Sequence, residues 1–362
     1  MLAWNGALPL YTRDCALYDT LRQTVPVIDA AIDKIGRLTG GCEPKSTNSA
    51  AQKELETFFE TVKVGAMSQG IDSFLRCYLD SLLTYGSAVG EIVLTPDASS
   101  IAGLYNVPIK NIYFKKSENP FGVVICAAKN GMDPQPIPYP QLVVYSALNP
   151  KAGQVCGTSI LECLPFVSDV LTKIYHSIGQ NFERIANLRY AVTYKPSSSS
   201  LDRAYAKDIA GNIAREWADA MNSVKSGQIK DFVAVGDVDI KVIGADNQMI
   251  DTEVPVRQML EQIVAKLGVP PFLLGLNWST TERMSAQQAD ILTSELDSYR
   301  RLLTPVLIKI CTLYLRLRGY TSDVAIQWDN VNLQDEVELA NARLINIQAD
   351  QLESQIKEET RP

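Results

Sequence analysis

The chain has 362 residues, 34 basic and 41 acidic side chains and a formal net charge of −7, with 46% hydrophobic and 21% charged residues. This is the composition of a globular chain with a well-buried core and two or three structural units, and it excludes a disordered one. The acidic balance argues against a protein that grips duplex DNA, but it permits one that lets DNA slide past.

No apolar run reaches the roughly 18 residues that span a bilayer. Residues 1–10 lack a basic segment ahead of an apolar core, so no signal peptide is expected. The seven cysteines (Cys15, Cys42, Cys77, Cys126, Cys156, Cys163 and Cys311) are scattered without C-x-x-C spacing, which suggests buried thiols in a reducing compartment. His176 is the one histidine, so no multi-histidine metal site is available.

In chain order, residues 25–38 read as an amphipathic helix with Pro26 in its first turn and Gly40-Gly41 after its end. Residues 40–51 read as a loop of Gly, Ser, Thr, Asn and Pro. Residues 51–64 and 71–85 read as two helices, the second striped by Phe74, Leu75, Tyr78, Leu79, Leu82 and Leu83. From Gly86 the period changes. Short β-rich runs at 90–94, 111–115, 122–127 and 141–145, punctuated by Pro96, Pro108, Pro120 and the alternation Pro134-Pro136-Pro138-Pro140, predict a largely antiparallel region. Ser159-Ile160-Leu161-Glu162 has the capping-box pattern, and a helix is predicted from there to about residue 188.

Residues 190–194 are strand-like, 195–200 a serine-rich linker and 201–224 a helix around Trp217. Residues 231–235 and 238–243 read as a hairpin turning at Gly236-Asp237. Residues 253–267 form a helix with Val256, Leu260, Ile263, Val264 and Leu267 on one face. Then come the stiff turn Gly268-Val269-Pro270-Pro271-Phe272-Leu273-Leu274-Gly275 and a polar loop of Leu276, Asn277, Trp278, Ser279, Thr280, Thr281, Glu282 and Arg283. A second capping box, Ser285-Ala286-Gln287-Gln288, opens a very long helix ending before Gly319. At about 1.5 Å per residue it spans roughly 50 Å. Pro305 should kink it, since the ring removes a donor and clashes with the preceding turn. Residues 324–328 are a late strand. Residues 334–360 read as a final helix with seven acids and two basic residues, a solvated or partner-facing end.

Three chemical motifs fail on inspection. Gly40-Gly41-Cys42-Glu43-Pro44-Lys45-Ser46 resembles a phosphate loop, but Pro44 offers no N–H and Glu43 places negative charge where phosphate would sit. Gly157-Thr158-Ser159-Ile160-Leu161 lacks the closing glycine of a nucleophile elbow, and His176 is the one base a triad would have; a helix cap is the expected role of Ser159. Asp335, Glu336 and Glu338 sit where a helix dipole favours acids. No cofactor, metal or catalytic residue is expected.

The run from Met259 to Gly275, followed by Gln287-Gln288 and by Leu302-Leu303-Thr304-Pro305, resembles the portal proteins of tailed bacteriophages in their siphophage-like form. That family carries a Gly-Val-Pro-Pro-x-Leu-Leu-Gly element, then a polar loop, then a helix with a Leu-x-Pro step. Here Val264 stands ahead of Ala265, and Leu267 directly precedes Gly268, where the family has a further residue and a phenylalanine. Leu82-Leu83-Thr84-Tyr85-Gly86-Ser87-Ala88-Val89-Gly90-Glu91-Ile92 and Gly157-Thr158-Ser159-Ile160-Leu161 agree in order.

The resemblance implies an α+β portal fold in a ring, most often of twelve subunits, at one capsid vertex in the virion, assembled in the bacterial cytoplasm. The implied regions are a wing over 1–152, a first stem helix over 153–188 and a clip over 189–251. They continue with a second stem helix over 252–268, the turn and channel loop over 269–284, a kinked spine and wing strand over 285–332, and a short crown-like helix over 333–362. The implied partners are the terminase large subunit, a head–tail adaptor, the major capsid and scaffolding proteins, and double-stranded DNA passing through the channel, with no membrane. The implied site residues are the loop from Leu276 to Arg283, Lys266 near the channel, the structural turn at Gly268, Pro270, Pro271 and Gly275, and the kink at Pro305. The competing readings are a metal-dependent nuclease or hydrolase, and a helical scaffold or adaptor without a channel.

Overall fold

The computed structural model describes residues 6–119, 122–128, 133–186, 189–195, 200–225, 238–243, 252–276 and 282–329. The fold is α+β, and the chain divides into two compact units. Met1–Asp169 with Met259–Pro362 form the larger; Val170–Gln258 form the smaller, inserted one.

The larger unit opens with β1 (Leu8–Pro9), α1 (Arg13–Thr24) and α2 (Pro26–Leu38). Pro26 at the head of α2 has no N–H to leave unsatisfied, and Ile28, Ala31, Ile32 and Ile35 bury a stripe at helical spacing. Next come β2 (Cys42–Ser46) and α3 (Ser49–Thr61). Asn48 caps α3: its Oδ1 accepts the N–H groups of Ala50 at 2.9 Å and Ala51 at 3.4 Å. After β3 (Lys63–Val64) and β4 (Ser68–Gln69), α4 (Ile71–Tyr85) buries Phe74, Tyr78, Leu82 and Leu83 completely.

Six strands follow: β5 (Ser87–Leu94), β6 (Ile101–Val107), β7 (Ile112–Lys116), β8 (Val123–Ala127), β9 (Gln135–Pro136) and β10 (Val143–Ala147). They make a five-stranded sheet ordered β10-β5-β6-β3-β4 and a four-stranded sheet ordered β1-β7-β8-β9. α4 packs on β5 and β6 and meets α2. A second core, with Leu10, Cys15, Ile112 and Phe114, is continuous with Val89 and Val143 of the first sheet.

α5 (Leu164–Ala186) carries the chain into the smaller unit, which holds β11 (Arg189–Tyr194), α6 (Ser200–Lys225) and β12 (Val238–Ile243). β11 and β12 pair antiparallel over six residues. α7 (Glu253–Leu267) carries the chain back. α8 (Glu282–Leu317) then buries Leu292, Leu296, Leu303, Leu307 and Ile310 in the larger unit, and β13 (Val324–Trp328) closes the described chain.

Several sequence expectations change. The loop expected over 40–51 contains β2, because β13 arrives to pair with it in register from Val324↔Ser46 to Trp328↔Cys42. α1 and β6 are additional elements. The helix expected to follow Ser159 begins five residues later, at Leu164. α8 begins at Glu282, so Ser285 lies inside the helix and does not cap it. β12 takes β11 as its partner among the described residues; the expected first hairpin strand, 231–235, lies outside them, as does the helix expected over 334–360.

Candidate functional site

The turn after α7 is built from two glycines and two prolines. Ile263, Val264 and Leu267 anchor the end of α7 in the larger unit, each at most 6% exposed. Gly268 adopts φ +68°, and its N–H still donates to the Val264 carbonyl at 3.0 Å. A left-handed residue after the last turn is the usual way to stop a helix, and glycine adopts it without a Cβ penalty.

Val269 and Pro270 are buried, Pro270 at φ −54° and ψ 136°. Pro271–Leu274 then form one 3-10 turn that touches α2. Gly275 ends it at φ +75°, its N–H on the Phe272 carbonyl at 3.2 Å, while Leu276 N–H reaches the Pro271 carbonyl at 3.0 Å. Every peptide direction is thereby fixed up to Leu276. Of the expected loop, Asn277, Trp278, Ser279, Thr280 and Thr281 lie outside the described residues. Glu282 and Arg283 belong to the first turn of α8, with side chains outside the description.

Lys266 borders a cleft of about 280 Å³ that also touches Asn149, Ser159, Gly268, Glu295 and Tyr299. Its exposed ammonium shares the cleft with the exposed Glu295 carboxylate. Burial, and then Glu295, push the Tyr299 hydroxyl up to about 12, so that group stays a neutral donor. Asn149 holds φ +42°, a conformation rare outside glycine. This volume lies below the usual range for small-molecule pockets, roughly 300–1,000 Å³.

Pro305 lies on the exposed face of α8, and the helix runs on through it. The Arg301 carbonyl, which loses its intrahelical donor, therefore falls on the solvent side.

Two motifs at opposite ends of the strand region meet in space. Gly86 stops α4 at φ +76°, and a Cβ there would lie 2.6 Å from the Gly157 carbonyl carbon. A Cβ on Gly157 would collide with the Gly86 carbonyl oxygen and the Leu148 amide. Around this crossing, Leu148 N–H donates to the Gly86 carbonyl at 2.8 Å, Thr158 N–H to the Leu148 carbonyl at 2.6 Å, and Ile160 N–H to the Leu83 carbonyl at 3.2 Å. Ser159 Oγ donates to the Thr84 carbonyl at 2.6 Å and accepts the Leu161 N–H at 2.9 Å. Ser159 thus satisfies the carbonyl end of α4 and is no cap for α5. The glycine spacing was visible in the sequence; the tertiary partner was not.

A third junction was not visible either. Arg300, 7% exposed, donates through Nε at 2.9 Å and Nη2 at 2.7 Å to the Thr39 carbonyl at the end of α2. Its guanidinium carbon sits 5.5 Å from the Trp328 ring centroid. Trp328 in turn donates to Thr304 Oγ1 at 3.0 Å. A cation at a helix C-terminus is electrostatically favourable, and its stacking on indole adds to this.

Among the described residues, no nucleophile, base and oxyanion donors come together. Ser159 Oγ is committed to backbone, and His176 Nε2 lies 3.0 Å from Gln180 Nε2 on exposed α5. Residues 42–46 are strand, not a phosphate-cradling loop. Among the described residues no three His, Cys, Asp or Glu side chains converge on a metal position, and no helix is long and apolar enough to cross a membrane. Asp335, Glu336 and Glu338 lie outside the description.

What the molecule presents is an α+β scaffold with an inserted unit, a rigid turn and a long helix. No protein-family model and no curated protein matches the chain. Solved structures do. A chain in the virion of the native gene transfer agent particle superposes with a TM-score of 0.62 at 15% identity, over 97% of this chain and 91% of that one. A chain in the neck of that native particle, computed with C12 symmetry, superposes at 0.63 and 14% identity, over 92% and 88%. A crystal structure of an HK97-family phage portal protein from Corynebacterium diphtheriae aligns over 90% and 96% at 14% identity, but its TM-score of 0.43 carries no argument. At these identities the likeness is one of fold: the chain shares the fold of a component of the gene transfer agent particle neck.

Proposed function

We propose that this protein is a portal: a ring of identical copies at one capsid vertex, through which terminase packages double-stranded DNA and from which the DNA later leaves. The observation that carries this reading is the near full-length fold shared with a chain of a particle neck computed with twelvefold symmetry. The order of the Gly-Val-Pro-Pro turn, polar loop and long helix supports it from the sequence. In this reading the inserted unit contains the clip, α5 and α7 are the stem helices, residues 276–283 form the channel loop, and the ring has twelve copies. A head–tail adaptor, the major capsid protein and scaffolding protein complete the vertex, in particles assembled in the bacterial cytoplasm.

The mechanism follows from charge. Each copy contributes −7, so the ring is strongly acidic, and a channel of acids and small polar groups repels phosphate. Arg283 and Lys266 supply weak, salt-sensitive phosphate contacts within a Debye length of about 10 Å. Translocation energy comes from the separate terminase ATPase. The protein is a conduit and not an enzyme, and the two-glycine, two-proline turn sets the same launch angle for the loop in every copy.

Electron microscopy of the purified protein tests the reading. Rings with a central hole are expected; a compact monomer at high concentration that never closes into rings would overturn it. Replacing residues 276–283 with a Gly-Ser linker should leave rings intact and impair packaging or retention of DNA.

A further inference from the structure

Among the described residues, three strands hold a proline: Pro9 in β1, Pro44 in β2 and Pro136 in β9. Pro9 and Pro136 lie on the two outer strands of the four-stranded sheet. They also share one row across it. Pro9 faces Tyr113, Tyr113 faces Cys126, and Cys126 faces Pro136.

In an antiparallel pair, residues that exchange hydrogen bonds alternate with residues whose N–H and C=O point away. At one edge Leu10 N–H donates to the Ile112 carbonyl at 2.9 Å, so Leu8 and Leu10 turn inward and Pro9 between them turns outward. At the other, Ile137 N–H donates to the Ile125 carbonyl at 3.0 Å, so Gln135 and Ile137 turn inward and Pro136 turns outward. The main-chain bonds of this row lie between Tyr113 and Cys126, and each outer end is a residue without an N–H. A slip of one residue would turn either proline toward the sheet and cost the ladder a bond.

The alternation Pro134-Pro136-Pro138-Pro140 has the period of such an edge. Pro138 follows Pro136 at the next place of the alternation, the Pro134 carbonyl accepts from Lys115 Nζ at 2.8 Å, and Pro140 opens a 3-10 turn. No two of the four stand three apart, the spacing of a polyproline segment read by an aromatic groove. Pro44 obeys the same rule in another setting. Asp329 N–H donates to the Gly41 carbonyl at 3.1 Å, so the alternation along β2 turns Pro44 outward. It is buried there, and its carbonyl accepts from Gln52 Nε2 at 2.9 Å; a donor at this place would be buried and unsatisfied. Pro9 and Pro136 instead have no strand beyond them among the described residues. Theirs is the one described sheet with a proline in both outer strands.

An unpaired edge templates pairing with another chain, and proline on the edge is one way that proteins prevent it. We propose that Pro9 and Pro136 bar strand addition at both edges of the four-stranded sheet, so that a second copy of this chain cannot extend it. A strand laid along either edge finds no donor at the end of the shared row. The inference stands apart from the ring reading, because it names a surface from which main-chain pairing between copies is kept away.

Pro9→Ala combined with Pro136→Ala restores one outward N–H at each edge and leaves the bonds of Leu10 and Ile137 untouched. Light scattering over a concentration series should show open-ended growth, with association about tenfold or more stronger than in the unaltered chain; closure into rings reaches a plateau instead. Pro140→Ala, which takes a proline from a turn and not from an edge, should associate as the unaltered chain does. Hydrogen exchange in dilute subunits, read at single residues by mass spectrometry, checks the geometry. The amides introduced at 9 and 136 should exchange about tenfold or more faster than those of Leu10 and Ile137. Unchanged association of the folded double variant would overturn the proposal. So would protection of the introduced amides in dilute subunits, which would place them against the sheet, and so would equal association of Pro140→Ala. Should the double variant fail to fold, Pro136→Ala alone, at the exposed β9, decides by the same two readings.

Discussion

Two glycine-marked turns, the Gly86–Gly157 crossing and the Gly268–Gly275 turn, look alike in sequence and differ in physics. At the crossing the added Cβ strikes backbone, which cannot move aside. At Gly268 and Gly275 nothing lies within 4 Å of an added Cβ, and only the positive φ asks for glycine. The first pair holds the larger unit's core together by close approach. The second pair sets a direction and touches little. A short glycine motif therefore signals either packing or geometry, and only the neighbours decide which.

Substitutions should separate the two. Gly157→Ala should cost about 4 kcal/mol or more in urea unfolding, enough to leave little folded protein, because it forces two backbone segments apart. A native-like unfolding midpoint would show that the segments do not approach so closely. Ser159→Ala, at the same crossing, should cost about 1–3 kcal/mol by leaving the buried Thr84 carbonyl and Leu161 N–H unsatisfied. Gly268→Ala and Gly275→Ala should each cost about 1–2 kcal/mol, the penalty of a left-handed Cβ in open space. A cost near that of Gly157→Ala would make the turn a packing element.

The smallest effect is chemical. Burial, then Asp72 and Asp329, push the Cys42 thiol up to about 12 from its ordinary 9.0. At pH 8 a thiol reagent should label the exposed Cys77 and Cys163 and spare Cys42, read by peptide mass spectrometry. The raised value means that the contribution of this thiol to stability is complete below pH 9 and is lost as pH rises from 9 towards 12. Replacing Cys42 with serine should flatten that alkaline slope.

What was legible in the sequence was whatever is decided locally. α4 and α7 have the ends that their apolar period and Gly86 or Gly268 dictate, and β13 matches the predicted strand residue for residue. β2 was hidden because its strand state is conferred by the distant β13, through the register from Val324↔Ser46 to Trp328↔Cys42. The Ser159 pattern misled for a related reason. A capping box is a local signature, but the hydroxyl found a better-placed carbonyl on α4, whose residue Thr84 is 75 positions earlier. The resemblance to portal proteins rested on motifs in order, and two of those motifs, around Gly86 and Gly157, turn out to touch. For the expected channel loop, the described geometry reaches its first residue, Leu276, and resumes at Glu282.

The Arg300–Thr39 bond and the β2–β13 ladder have a consequence during synthesis. Both join chain segments roughly 260–290 residues apart. At about 5–20 residues per second, the ribosome takes on the order of a quarter of a minute to a minute between making one partner and the other. In that interval β2 waits with its inner edge unpaired, the end of α2 lacks its cation, and the apolar stripe that will receive α8 faces water. The other edge of β2 is covered by a nearby residue, Gln52, which accepts the Ser46 N–H at 2.7 Å and donates to the Pro44 carbonyl at 2.9 Å. The nascent larger unit is thus held open until α8 arrives, and its exposed apolar surface invites chaperone capture in that window.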